Sequence, residues 1–224
     1  VAAPVLVRVT EYPASKLDLG VGISTDTGPR GEASYANDNT IKPGWQGLAR
    51  LRLDAKQQAL DGELALLPEA GGWRNRVGAE AVASDIRNVD SQRLGVTARR
   101  SWRTPEDERD LALKFQAEER RVGTAPTDSL HALTLNASWT LRRVDDALRP
   151  TRGYLLNLQL GGAAQPLLST RSFSRAYARA LFIVPLDRDN RLHLRGEFGA
   201  VLAASREGIP SEFLFRTGGD QSVR

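Results

Sequence analysis

Apolar and polar residues alternate with a period of two along almost the whole chain, and a chain so patterned is committed to strands with one greasy and one wet face. The pattern opens with Leu17, Leu19, Val21 and Ile23 against Asp18, Gly20, Gly22 and Ser24. Leu51 and Leu53 then alternate with Arg50, Arg52 and Asp54, and Leu60, Leu64 and Leu66 oppose Asp61 and Glu63. Val77, Ala79, Ala81 and Ala83 face away from Arg76 and Glu80, and Leu94, Val96 and Ala98 from Arg93, Thr97 and Arg99. Leu111, Leu113 and Phe115 oppose Asp110, Lys114 and Gln116, and the pattern continues through Leu133 to Leu141, Leu156 to Leu160 and Leu192 to Leu202. Residues 30–37 are polar on both faces and residues 174–184 become apolar on both, and context makes strands of these as well. Turn chemistry separates the runs, as at Thr27-Gly28-Pro29, Lys42-Pro43-Gly44 and the 145–153 segment. The count is eleven strands between residues 16 and 205. Each is expected to be near the 9 to 11 residues, roughly, that cross a tilted bilayer. No segment holds a helical period, so the fold class is all-β, antiparallel and up-and-down.

Composition removes several classes of function. The 224 residues include no Cys, which excludes disulfides, thiolate metal sites, thiol nucleophiles and iron–sulfur clusters. The net charge of +4 comes from arginines scattered from Arg8 to Arg224 rather than clustered, which argues against nucleic acid as a partner. The longest uncharged stretch, residues 153–170, carries Asn157, Gln159 and Pro166 and is no spanning helix. The chain opens on no basic segment followed by an apolar core and cleavage site, so a leader removed or an excerpted chain is expected.

Two architectures fit the alternation, a soluble antiparallel sheet and a transmembrane barrel. A soluble sheet with one solvated face also alternates. The long strands and the charges in mid-strand favour a barrel with lipid outside and water inside. An arginine on the lipid side at the midplane costs about 2 to 4 kcal/mol, so the face carrying Arg50 and Arg52 is expected to look inward.

The end of the chain is more specific. Phe215, Gly218, Gly219, Asp220, Ser222, Val223 and Arg224 form an F-x-x-G-G-D-x-S-V-R string, in which the glycine pair permits positive φ and the following residues present a charged tip. This string resembles the sixth extracellular loop of the BamA/TamA superfamily of outer-membrane insertases, or surface antigen barrels. Arg149-Pro150-Thr151-Arg152-Gly153-Tyr154 is similar to the P-T-R-G strand opener of that family, and Pro185-Leu186-Asp187 to a later turn. Residues 5–12 (VLVRVTEY) are similar to the closing strand of the last periplasmic POTRA domain. Residues 1–14 are thus expected to end a POTRA domain and its linker, and residues 15–224 to form a partial barrel, with the sixth loop at 206–224. Strand parity agrees. If the chain enters from the periplasm before Leu17, the eleventh strand ends outside and the loop after it is the sixth external one. Eleven strands cannot close, because bacterial barrels have even counts and leave no edge in lipid. The resemblance implies sixteen, with about five beyond Arg224.

The resemblance further implies a component of a translocation and assembly module, nearest the TamA branch, that helps insert or secrete outer-membrane proteins such as autotransporters. Leu17, Leu19, Gly20, Val21, Gly22 and Ile23 would form the gate strand to which an incoming strand adds. Gly20 and Gly22 equally fit an ordinary bend beside lumenal side chains. Arg224 would pair inside the lumen with an acidic residue of a later strand. Implied partners are outer-membrane lipid and lipopolysaccharide, unfolded outer-membrane clients and an inner-membrane-anchored TamB-type protein, in the bacterial outer membrane. A two-partner secretion transporter and a passive pore are the alternatives. No cofactor or metal is expected. No enzyme is expected either: there is no G-x-S-x-G elbow, and His131 and His193 read as lumenal polar residues. Asp145-Asp146 and Asp187 read as solvated turns. Trp45, Trp73, Trp102 and Trp139 are candidates for an interfacial girdle, with core packing as the alternative.

Overall fold

The computed structural model describes residues 13–24, 28–86, 88–187, 190–205 and 207–214. These form eleven strands: β1 (Ser15–Ser24), β2 (Gly28–Asn37), β3 (Gln46–Asp54), β4 (Gln57–Ala65), β5 (Trp73–Ile86), β6 (Val89–Arg103), β7 (Asp107–Val122), β8 (Asp128–Val144), β9 (Gly153–Ala163), β10 (Phe173–Pro185) and β11 (Arg191–Ala203). They make one sheet in sequence order, each strand antiparallel to the next. The two segments without clean alternation, 30–37 and 174–184, are strands β2 and β10. Leu66 falls just past the end of β4.

Burial is inverted relative to a soluble protein. On one face Leu19 is 75% exposed, Leu135 57% and Phe198 66%, while on the other Gln116 and Thr134 are each fully buried. The register keeps the faces separate: Glu80 lies across from Gly95, Gly95 from Gln116, and Gln116 from Ala132, all on the inner side. The expectation for Arg50 and Arg52 holds, since both reach Asp61 on that side, at 2.9 and 3.3 Å. A large exposed apolar face is stable only against another apolar medium, and a transmembrane barrel supplies one.

Strand length departs from the expectation of 9 to 11 residues. β1 to β4 have 10, 10, 9 and 9, but β5 to β8 have 14, 15, 16 and 17. A bilayer sets the least length that must be paired, not the greatest. Beyond the apolar band the ladder continues on polar pairs such as Arg121 with Asp90, at 2.9 Å. The β9 strand is only 11 residues, so the upper edge of β8 lacks a strand partner there. The β9–β10 connection covers it: the His131 N–H donates to Thr170 Oγ1 at 2.9 Å, the Thr170 N–H to the His131 carbonyl at 2.8 Å, and the Leu133 N–H to Ser169 Oγ at 3.0 Å. Those bonds satisfy backbone groups that would otherwise template a foreign strand.

His131 corrects an expectation. The register places it across from Ala117, on the face shared by Leu133 and Leu135, so it points outward and its Nδ1 lies 3.2 Å from Thr170 Oγ1. His193 sits on the inner face, across from the inward Ile183.

Three of the four tryptophans lie in one row. Trp73, Trp102, Arg109 and Trp139 are successive cross-strand neighbours on the outward face. The Arg100 guanidinium stands 5.0 Å from the Trp73 ring centre and Arg109 stands 5.1 Å from that of Trp102. The Trp139 Nε1–H donates to Asp107 Oδ1 at 3.1 Å. Aromatic rings with a polar handle belong where hydrocarbon meets water.

Candidate functional site

The lumen wall presents a ladder of bonded side chains. The Asn157 amide donates to Thr140 Oγ1 at 2.7 Å, the Gln159 amide to Asn157 Oδ1 at 3.0 Å, and Arg175 Nη1 to Gln159 Oε1 at 3.1 Å. Arg50, Asp61, Glu63, Arg76, Asp110 and Ser138 extend the same surface around a cavity of about 540 Å³.

Into this cavity turns the segment after β11. Pro210 is fully buried, and a 3-10 turn over Ser211–Phe213 follows it, with the Phe213 N–H donating to the Pro210 carbonyl at 3.1 Å. A 3-10 turn advances about 120° per residue, so neighbouring side chains leave in different directions. Phe213 goes to an apolar plug with Ala132, Phe173 and Ile209, its ring centre 5.2 Å from that of Phe173. Glu212 goes to charge. Both its carboxylate oxygens accept from Lys114 Nζ at 2.8 Å, and Arg93 stands 4.0 Å away. Lys114 also meets Glu80 Oε1 at 2.9 Å, so one ammonium joins two carboxylates. Gly95 makes this possible, because a Cβ there would lie 2.9 Å from Glu80 Oε1 and displace it.

Of the predicted site residues, Leu17, Leu19, Val21 and Ile23 are on the outward face of β1 and exposed, with Gly20 and Gly22 on the inner side. Among the described residues β1 pairs only with β2, and β11 only with β10. Phe215, Gly218, Gly219, Asp220, Ser222, Val223 and Arg224 lie outside the described residues, as do residues 5–12 of the POTRA resemblance. Sequence reasoning missed Glu212, Lys114, Glu80, Arg93 and Ile209. A signal was present in Ile209, Pro210 and Phe213, which are apolar residues in a loop that the topology makes external.

The P-T-R-G segment has a structural account. The Asp145 carboxylate accepts from the Thr151 and Arg152 N–H groups at 2.9 and 3.0 Å and from the Thr151 hydroxyl. These bonds, the Thr151 hydroxyl first, hold the Asp145 carboxyl well below the ordinary range. A depressed folded-state value stabilises the turn above the ordinary carboxylate pKa, and that contribution fades as pH falls below it. Amide exchange at Thr151 and Arg152, corrected for intrinsic rate, is therefore expected to stay slow from neutral pH down to the ordinary value of 3.8 and to accelerate below it. Asp145→Asn is expected to show fast exchange at every pH.

Comparison with known proteins gives a family. Residues 74–224 match the Omp85 superfamily domain. The chain belongs to the Omp85 superfamily. That membership sets it in the bacterial outer membrane, where an exposed leucine face is solvated by lipid. The fold is similar to that of BamA from Haemophilus ducreyi lacking POTRA domains 1–3, with a TM-score of 0.77 at 13% identity, over 96% of this chain and 46% of that one. This Omp85 chain thus spans about half the length of the BamA chain it matches. A comparison with curated proteins returns no match.

Proposed function

We propose that this chain is the barrel portion of an outer-membrane protein insertase or transporter that acts through the edge of β1. Within the superfamily the TamA branch fits best, on the Gly-Gly-Asp-Gln-Ser-Val-Arg ending. The clients are then unfolded outer-membrane proteins, autotransporters among them, and an inner-membrane-anchored TamB-type protein is the partner. Phospholipid and lipopolysaccharide surround the barrel, and no enzymatic step is involved. The observation that carries this reading is the shape of β1, which has 10 residues against 17 in β8 and so limits any seam to at most ten rungs. Its inner face holds Gly20 and Gly22, which contribute no side-chain packing. A weak, short seam can open and present an unpaired ladder to an incoming strand.

Space exists to strengthen it. A Cβ at Gly20 meets only Glu32 Cβ at 4.0 Å, and one at Gly22 meets the flexible Arg30 side chain at 3.1 Å. The double variant Gly20→Val, Gly22→Val is therefore expected to fold, because glycine in a strand interior is disfavoured by about 0.5 to 1 kcal/mol relative to alanine and valine suits a strand. Client assembly, followed as the appearance of heat-modifiable autotransporter after induction in cells, is expected to slow about tenfold. An unchanged assembly rate with a correctly folded barrel would count against the gate. A secretion transporter built on the same barrel is the second reading, favoured by the polar cavity of about 540 Å³. Secretion of one dedicated partner, with no effect of depletion on barrel assembly, would select it.

A further inference from the structure

We infer that Glu212 is a positioning residue that locks the root of the sixth loop into the lumen through Lys114. The inference rests on the barrel reading above and assigns a residue and a receptor to it.

The receptor is built from four strands. Arg93 on β6, Lys114 on β7 and Arg175 on β10 supply positive charge on the inner face, against Glu80 of β5. Glu212 brings the balancing carboxylate, making a two-oxygen contact with an ammonium that is only 14% exposed. An exposed ion pair contributes little, but a charge-assisted contact partly withdrawn from water is stronger, and stripping one partner leaves the others unbalanced. Undocked, Arg93, Lys114 and Arg175 would be left with Glu80 and with Glu118, which lies across the ladder from Arg93, one carboxylate fewer than in the docked state.

The same root carries the plug. Glu212 and Phe213 are adjacent on one 3-10 turn, so withdrawing that turn from Lys114 also draws Phe213 from Phe173 and uncovers Ala132, which is 1% exposed. The docked state is not bound to saturation. Gln116, directly across the ladder from Ala132, is fully buried with neither amide atom hydrogen-bonded among the described residues. Undocking returns such groups to water, which keeps the lock reversible.

Ala132→Cys gives a reporter, since the chain has no cysteine of its own. In intact cells carrying the full-length protein, a membrane-impermeant maleimide is expected to label Cys at 132 slowly. Adding Glu212→Gln is expected to raise the rate about tenfold, equivalent to about 1.4 kcal/mol on the docking equilibrium. Adding Lys114→Gln is expected to raise it similarly, and the conservative Lys114→Arg to keep labelling slow. A labelling rate unmoved by Glu212→Gln, or one raised as much by Lys114→Arg as by Lys114→Gln, overturns the inference. Retention of the heat-modifiable folded band in each variant separates undocking from misfolding. Client assembly is followed in the same cells, so loss of the insertase reading and loss of the lock register on different measurements.

Discussion

Replacing Leu135 by arginine is expected to destabilise the barrel and lower its folded fraction, while replacing Ser138 by arginine three residues along the same strand is expected to leave it intact. Leu135 stands on the outward face of β8, across from the outward Leu113, and is 57% exposed to what must be hydrocarbon. An arginine at the bilayer midplane costs about 2 to 4 kcal/mol, a large fraction of a typical net stability of about 5 to 15 kcal/mol. Ser138 faces the lumen across from Asp110, whose Oδ1 is buried without a hydrogen bond among the described residues. An arginine there gains an acidic neighbour. The measurement is the fraction of protein resisting unheated detergent in electrophoresis. Equal tolerance at both positions would contradict the assignment of faces.

Gly153→Ala is the second large expectation. Gly153 opens β9 with a φ of +133°, and an added Cβ would stand 2.0 Å from the Arg143 carbonyl oxygen and 2.7 Å from Val144 Cα. Backbone leaves no flexible atom to yield, and a side chain at such a φ is strained whatever the space. The loss is expected to reach at least about 3 kcal/mol, the upper end for a single forbidden backbone conformation. The β8–β9 hairpin, held by Asp145 and its three donors, is where disruption should begin. Gly31→Ala is the matched control, because nothing lies within 4 Å of a Cβ there. Urea midpoints of the folded protein in lipid vesicles are expected to fall for Gly153→Ala and to stay level for Gly31→Ala.

Strand identity was legible because a period of two is local: Arg50, Arg52 and Asp61 announce a common wet face before any fold is known, and the register brings them together. The extent of β5 to β8 was not legible, since clean alternation stops near Gln116 and Glu118 to Arg121 are charged on both faces. In the structure these residues still pair, with Arg93, Gln92, Ser91 and Asp90. His131 misled for a related reason, a polar side chain on the outer face above the apolar band, where alternation no longer sorts residues. The lock was hidden by distance along the chain. Lys114 and Glu212 are 98 residues apart, and nothing in either neighbourhood names the other. Ile209 and Phe213 were the readable trace, because greasy residues in a loop bound for water need a dry place to go.

The inverted burial also bears on how this polypeptide reaches its destination. Water would drive Leu94, Leu113, Leu135 and Phe198 together and leave Gln116 and Thr134 outside, the reverse of their native arrangement. Collapse in an aqueous compartment therefore leads away from the native state, and time spent there is time spent accumulating wrong contacts. A newly made copy needs an escort that shields its leucines until lipid is within reach, so a protein that we propose to help others into the membrane is itself in want of the same service.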